Sequence, residues 1–184
     1  MSAWRKSEGF TLTELLVVIV LMGFVLSVAY GLLRITNVGT DQASSEAWIA
    51  REVGAPLEFA ERVLSQQYQI LTGSSEATHY RLAFLTNQAG GAGERYMIEA
   101  TDANTLEVTF SDSAGVSSRT DVWSEANFNR SRGVPLFRFF DADGDEILEM
   151  SRVDGDAKYV IVTIVTVHEG REFEDQRTIF FRNQ

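Results

Sequence analysis

From residue 15 to residue 33 the chain reads LLVVIVLMGFVLSVAYGLL, without a single charged side chain. Roughly 19 residues at ~1.5 Å each make a helix about 28 Å long, close to the ~30 Å hydrocarbon core of a bilayer. Such a segment is long enough to span a membrane. Ahead of it lies MSAWRKSEG, with cations at Arg5 and Lys6, and behind it a much larger acidic segment. Basic residues before a span and the bulk of the chain after it orient the N-terminus toward the cytoplasm. The expected protein is single-pass, with its C-terminal domain outside the cytoplasmic membrane.

Two simpler readings share this feature. Ser27-Val28-Ala29 is a small-x-small triplet after a plausible apolar core, so an ordinary signal peptide would be cut after Ala29. A plain membrane anchor would not be cut at all. Neither reading accounts for Glu14, a carboxylate at the edge of the apolar run, because an ionisable group at membrane depth is costly and is retained where it finds a partner.

The residues Gly9-Phe10-Thr11-Leu12-Thr13-Glu14-Leu15-Leu16-Val17-Val18 resemble the processing motif of type IV prepilins and of the pseudopilins of type II secretion and competence. The resemblance is specific over the first fifth of the chain. It implies that a membrane prepilin peptidase cuts after Gly9 and methylates the new N-terminus at Phe10. It also implies a role for Glu14, whose carboxylate would pair with the N-terminal ammonium of a neighbouring subunit during assembly, where low dielectric strengthens the attraction. The implied partners are that peptidase, other pilins or pseudopilins in a filament, the inner-membrane assembly machinery and the membrane itself. A minor subunit is favoured over a major one, the layout being similar to minor pilins and to the J-type pseudopilin.

Beyond the span, apolar positions at Ala43, Ala47, Ala50, Val53, Leu57, Ala60, Leu64, Tyr68 and Leu71 recur every three or four residues, the helical period. Trp48, Phe59 and Val63 widen that stripe, leaving Arg51, Glu52, Glu58, Glu61 and Arg62 toward water. Gly54-Ala55-Pro56 predicts a kink or break, and the span and this helix are expected to form a bent spine. From residue 78 the period becomes two, with strands expected around 80–84, 96–100, 106–110, 136–140, 159–168 and 173–182. Residues 89–93 and 112–115 read as the loop and turn between the early strands. Residues 116–135 read as an exposed strand and a variable loop holding Trp123 and Phe128. The fold class expected is α+β and pilin-like: a long N-terminal helix, transmembrane and then amphipathic, packed on an antiparallel β-sheet. Its divisions are a leader at 1–9, a transmembrane helix at 10–34, an amphipathic region at 35–75 and a β domain at 76–184.

Composition narrows the chemistry. The formal net charge is -10, with 26 acidic against 16 basic residues, which disfavours nucleic acid as a partner. A small basic group of Arg130, Arg132 and Arg138 is the one exception to weigh. Cysteine is absent, removing disulfides and thiolate sites. Asp141, Asp143 and Asp145 alternate as in a calcium loop, but glycine sits at the fourth position and Arg152 at the twelfth, and a β-turn explains the same residues without metal. Asp154-Gly155-Asp156 reads as another turn. His79 and His168 lack ligand spacing for zinc. No catalytic constellation is legible, so neither an enzyme nor a cofactor is expected.

Overall fold

A computed structural model describes residues 11–73, 77–86, 93–112 and 118–181. The chain divides into two units, Met1–Ser45 and Glu46–Gln184. Helix α1 runs Leu12–Ile49, and its last turn belongs to the second unit.

In the second unit, α1 is followed by a π-helical turn at Ala50–Gly54 and then by α2 at Ala55–Leu64. Of the kink or break expected at Gly54-Ala55-Pro56, a full break does not occur: a π-helical turn separates the two α-helical pieces. Ala55 keeps helical angles, φ -62 and ψ -43, and its N–H donates to the carbonyl of Ala50, five residues back. Pro56 has no N–H to offer the α ladder, and its ring would crowd the carbonyl four residues before it; the wider π turn absorbs both problems without stopping the helix.

The helical stripe also stops earlier than its period suggests. Alpha-helix α2 ends at Leu64, and Gln67–Leu71 is strand β1. Its partner is β2, Arg81–Thr86, and the N–H of Ile70 is held by the Asp154 carboxylate at 2.6 Å. Long-range pairing thus overrides a helical pattern that Tyr68 and Leu71 continue by coincidence of spacing.

The remaining strands are β3 at Arg95–Ala100, β4 at Leu106–Ser111, β5 at Ser118–Ser124, β6 at Phe137–Phe140, β7 at Glu146–Ile147, β8 at Tyr159–His168 and β9 at Arg171–Phe180. Short helices α3, Asn129–Arg132, and α4, Val153–Asp156, lie in the connections. The Asp154-Gly155-Asp156 turn is therefore helical. All pairings are antiparallel, and the strands divide between two sheets, β1-β2-β3-β4-β5 and β7-β6-β8-β9, where a single sheet was expected. The expected loop at 89–93 and turn at 112–115 lie largely outside the described residues.

One core joins these layers. Val53, Leu57, Phe59, Ala60, Val63 and Leu64 of the helical segment bury against Leu82, Phe84, Ile98 and Val108 of the first sheet and against Phe137, Phe139, Val160 and Val162 of the second. Phe59 sits among aromatic rings, its centroid 3.8 Å from that of Trp123 and 6.2 Å from that of Phe110. Trp123 is accordingly a strand residue packed on α2, not part of a loop. Ala43, Ala47 and Ala50 are exposed, and the fully buried positions of the helical segment begin at Glu52 and Val53.

Candidate functional site

The N-terminal segment carries the strongest functional residues. Gly9 and Phe10 lie outside the described residues; Glu14 lies in the first turn of α1. Its Oε2 accepts hydrogen bonds from both the backbone N–H and the hydroxyl of Thr11, each at 2.9 Å. In return the N–H of Glu14 donates to Thr11 Oγ1 at 3.3 Å. Thr11-Leu12-Thr13-Glu14 is therefore a capping box, a reciprocal arrangement that satisfies amide donors which a helix N-terminus leaves unpaired. The pattern Thr-x-x-Glu before an apolar run was legible in the sequence and is a structural use for Glu14 in the isolated chain.

Past this cap, the large apolar side chains of α1 from residue 12 to residue 35 are exposed, from 48% at Val28 to 81% at Leu12. Consecutive positions such as Leu15, Leu16, Val17 and Val18 point around the whole helix, so no single face could be buried against a soluble core. A helix apolar on all sides suits lipid or other apolar helices. It meets the length and hydropathy of a membrane span. Where polar residues return, Thr36 and Thr40 donate their hydroxyls to the carbonyls of Leu32 and Thr36, at 2.9 and 2.8 Å. Such back-bonding hides the hydroxyl along the helix.

The other candidates have structural occupations. Arg130 pairs with Asp102 at 2.9 Å, Arg132 with Glu172 at 3.3 Å and Arg138 with Glu146 at 2.9 Å. Each cation of the trio thus has a carboxylate partner, and the three do not form an unneutralised basic face. The guanidinium of Arg138 holds the Glu146 carboxyl below its ordinary range through its hydrogen bonds. In the acidic loop, Asp141 Oδ1 accepts the N–H groups of Asp143 and Asp145, at 3.0 and 2.9 Å, and Gly144 adopts φ 87. That is turn chemistry. His168 stacks on Trp48 with ring centroids 4.2 Å apart, while His79 Nδ1 lies 3.4 Å from the carbonyl oxygen of Phe137. No group of three or more potential metal-ligating side chains comes together among the described residues.

Glu52 departs from expectation. It was placed toward water, yet only 3% of it is exposed. Its Oε1 accepts from Arg51 Nη2 at 2.7 Å, and its Oε2 accepts the N–H of Glu125 at 2.9 Å, just past β5. Burial pushes its pKa up, but hydrogen bonds from Arg51, Ser124 and the Glu125 backbone outweigh burial, and the net shift is downward. The clue in the sequence was spacing: Glu52 falls four residues after Trp48, on the stripe that faces inward.

Comparison with known proteins places one segment. Residues 4–30 match the family described as the prokaryotic N-terminal methylation motif. No curated protein and no solved structure matches the chain significantly.

Proposed function

We propose, from the premise that this chain is a type IV pilin- or pseudopilin-like precursor bearing the N-terminal methylation motif, that it is a structural filament subunit and not an enzyme. The observation that carries this reading is the methylation motif running directly into a helix that is apolar on every side.

In this reading prepilin peptidase cuts between Gly9 and Phe10 and methylates the Phe10 amine. The apolar helix holds the product in the inner membrane, N-terminus toward the cytoplasm, until the assembly machinery extracts it. Subunits then pack through their apolar helices with other pilins or pseudopilins, in a type IV pilus-like or type II secretion filament, where this chain serves as a minor component. Glu14 changes partners on assembly: its carboxylate, first satisfied by Thr11, pairs with the Phe10 ammonium of a neighbour. A buried carboxylate left without its cation is heavily penalised, so this exchange enforces axial register.

The capping box makes the assembly role separable from a helical one. Glutamine also serves at this position of a capping box, so Glu14→Gln keeps the helix start and removes only the charge. The expected result is normal membrane insertion and cleavage, with filament incorporation reduced about tenfold or more by loss of the buried ion pair. Incorporation at the wild-type level would reduce Glu14 to a helix cap.

A further inference from the structure

Among the described residues, four strands bound the two sheets: β1 and β5 in the first, β7 and β9 in the second. A sheet edge offers unpaired backbone donors and acceptors to any extended chain that comes alongside, and folded proteins blunt such edges with shortness, bulges or proline. Strand β7 is only Glu146–Ile147. The pairing of β1 shifts between Gln67 and Gln69, and that of β4 with β5 shifts between Leu106 and Glu107. Strand β9 has none of these three; its one guard is charge, carried by Arg171, Glu172, Glu174, Asp175 and Arg177. It keeps one unbroken register with β8 over its 10 residues and contains no proline.

The hydrogen-bond parity of that edge is fixed. The N–H of Phe181 donates to the carbonyl of Lys158 at 3.0 Å, so odd-numbered positions bond to β8. Glu172, Glu174, Gln176, Thr178 and Phe180 therefore aim their backbone groups at the open side. At the middle of the row the N–H of Gln176 is covered by the carboxylate of Asp175, at 2.9 Å.

Charge selects the occupant. Two β9 strands pairing antiparallel must oppose residues of the same parity, so a symmetric pair centres on one residue. Centring on Glu174, Asp175 or Arg177 opposes like charges at the axis, and centring on Phe173 sets Glu172 against Glu174. Centring on Thr178 avoids clashes but loses about half the overlap. Centred on Gln176, Asp175 of each copy faces Arg177 of the other, whose guanidinium is also paired with Glu61 of its own chain, Phe173 faces Ile179, and Glu174 faces Thr178. Opposite charges and apolar pairs lie across from one another with no like-charge opposition, which is the cross-strand pattern that stabilises a sheet. Phe180, 65% exposed, is set against the aliphatic stem of Glu172.

We propose that β9 is a homotypic docking strand, through which two copies of this chain join edge to edge, antiparallel, about Gln176. Strand pairing alone is a small interface, but confinement of both copies to one membrane by their apolar helices raises their effective concentration. The pairing is independent of cleavage at Gly9.

The chain has no native cysteine, so single cysteines report position cleanly. In membranes holding the full chain, Gln176→Cys should give a disulfide-linked homodimer on mild oxidation, and Val122→Cys, exposed on edge strand β5, should not. Adding Thr178→Pro removes an edge N–H that the β8 ladder does not use and should abolish the dimer with the melting transition preserved. Adding Asp175→Arg instead, at an exposed position, sets arginine against Arg177 and should lower the dimer about tenfold or more. No homodimer from Gln176→Cys, an equal yield from Val122→Cys, cross-linking to a different protein instead, or a dimer indifferent to Asp175→Arg would each overturn the proposal.

Discussion

Glu52 shows how one buried charge can tie distant segments together. Replacing it with alanine leaves the N–H of Glu125 without its acceptor and frees Arg51, and is expected to cost about 2 kcal/mol. Thermal unfolding of Glu52→Ala against Glu52→Gln checks this, since glutamine retains an acceptor and should cost less. The pH dependence has a definite sign. The Glu52 and Glu146 carboxyls are both depressed from the ordinary value of 4.5, so their contribution is present above that value and is lost as pH falls through their lower folded values. Denaturant titrations between pH 6 and about pH 3 should show stability falling mainly below 4.5. Tyr96 acts in the opposite range. Burial, with help from the Glu94 carboxylate on its hydroxyl, pushes it up to about 12 from 10.0. Its neutral form is favoured by folding, so its stabilisation is intact below pH 10 and declines as pH rises through 12; ultraviolet titration should show one tyrosine ionising late.

At the scale of elements, two loops carry distinct physical demands. The turn between β8 and β9 places Glu169 at φ 50 and Gly170 at φ 76, a left-handed pair that asparagine-glycine fits best. Glu169→Asn should therefore stabilise the domain by about 0.5 kcal/mol, read as a rise in the melting transition. Asn129 fastens the α3 connection across β8: it donates to the carbonyl of Thr163 at 2.7 Å and accepts the N–H of Val165 at 2.9 Å, with no exposed surface. Asn129→Ala should cost about 2 to 3 kcal/mol, because both backbone groups lose a partner in a buried site. None of that network is visible in the sequence, where Asn127 and Asn129 look like ordinary loop residues. What was legible is what local pattern controls. The strands at 106–110 and 159–168 alternate or concentrate β-branched residues, and their positions follow from it. Strand β1 and the burial of Glu52 were misread because both depend on contacts distant in sequence: pairing with β2 and Asp154 in one case, the N–H of Glu125 in the other. The capping box at Thr11 was missed although its Thr-x-x-Glu signal is entirely local, because Glu14 was read only for its charge.

For the whole molecule, the functional signal and the folded domain are carried by different parts of the chain. The methylation motif and the apolar helix support a pilin-like precursor, whereas the second unit builds its own core from α2 and two sheets. The formal charge of -10 and the pairing of Arg130, Arg132 and Arg138 with carboxylates are consistent with an assembly partner made of protein and unfavourable to nucleic acid. In the proposed assembly route, cleavage next to Phe10 is the step on which the filament role of Glu14 depends. It is tested most directly by the intact mass and N-terminal sequence of the protein recovered from membranes, beside a Gly9 substitution. A mature chain starting at N-methylated Phe10, with the Gly9 variant left uncut, is the expected result. A chain that starts at Tyr30, as after a signal peptide, or that retains Met1, as in a plain anchor, would contradict the prepilin reading and remove the assembly role of Glu14.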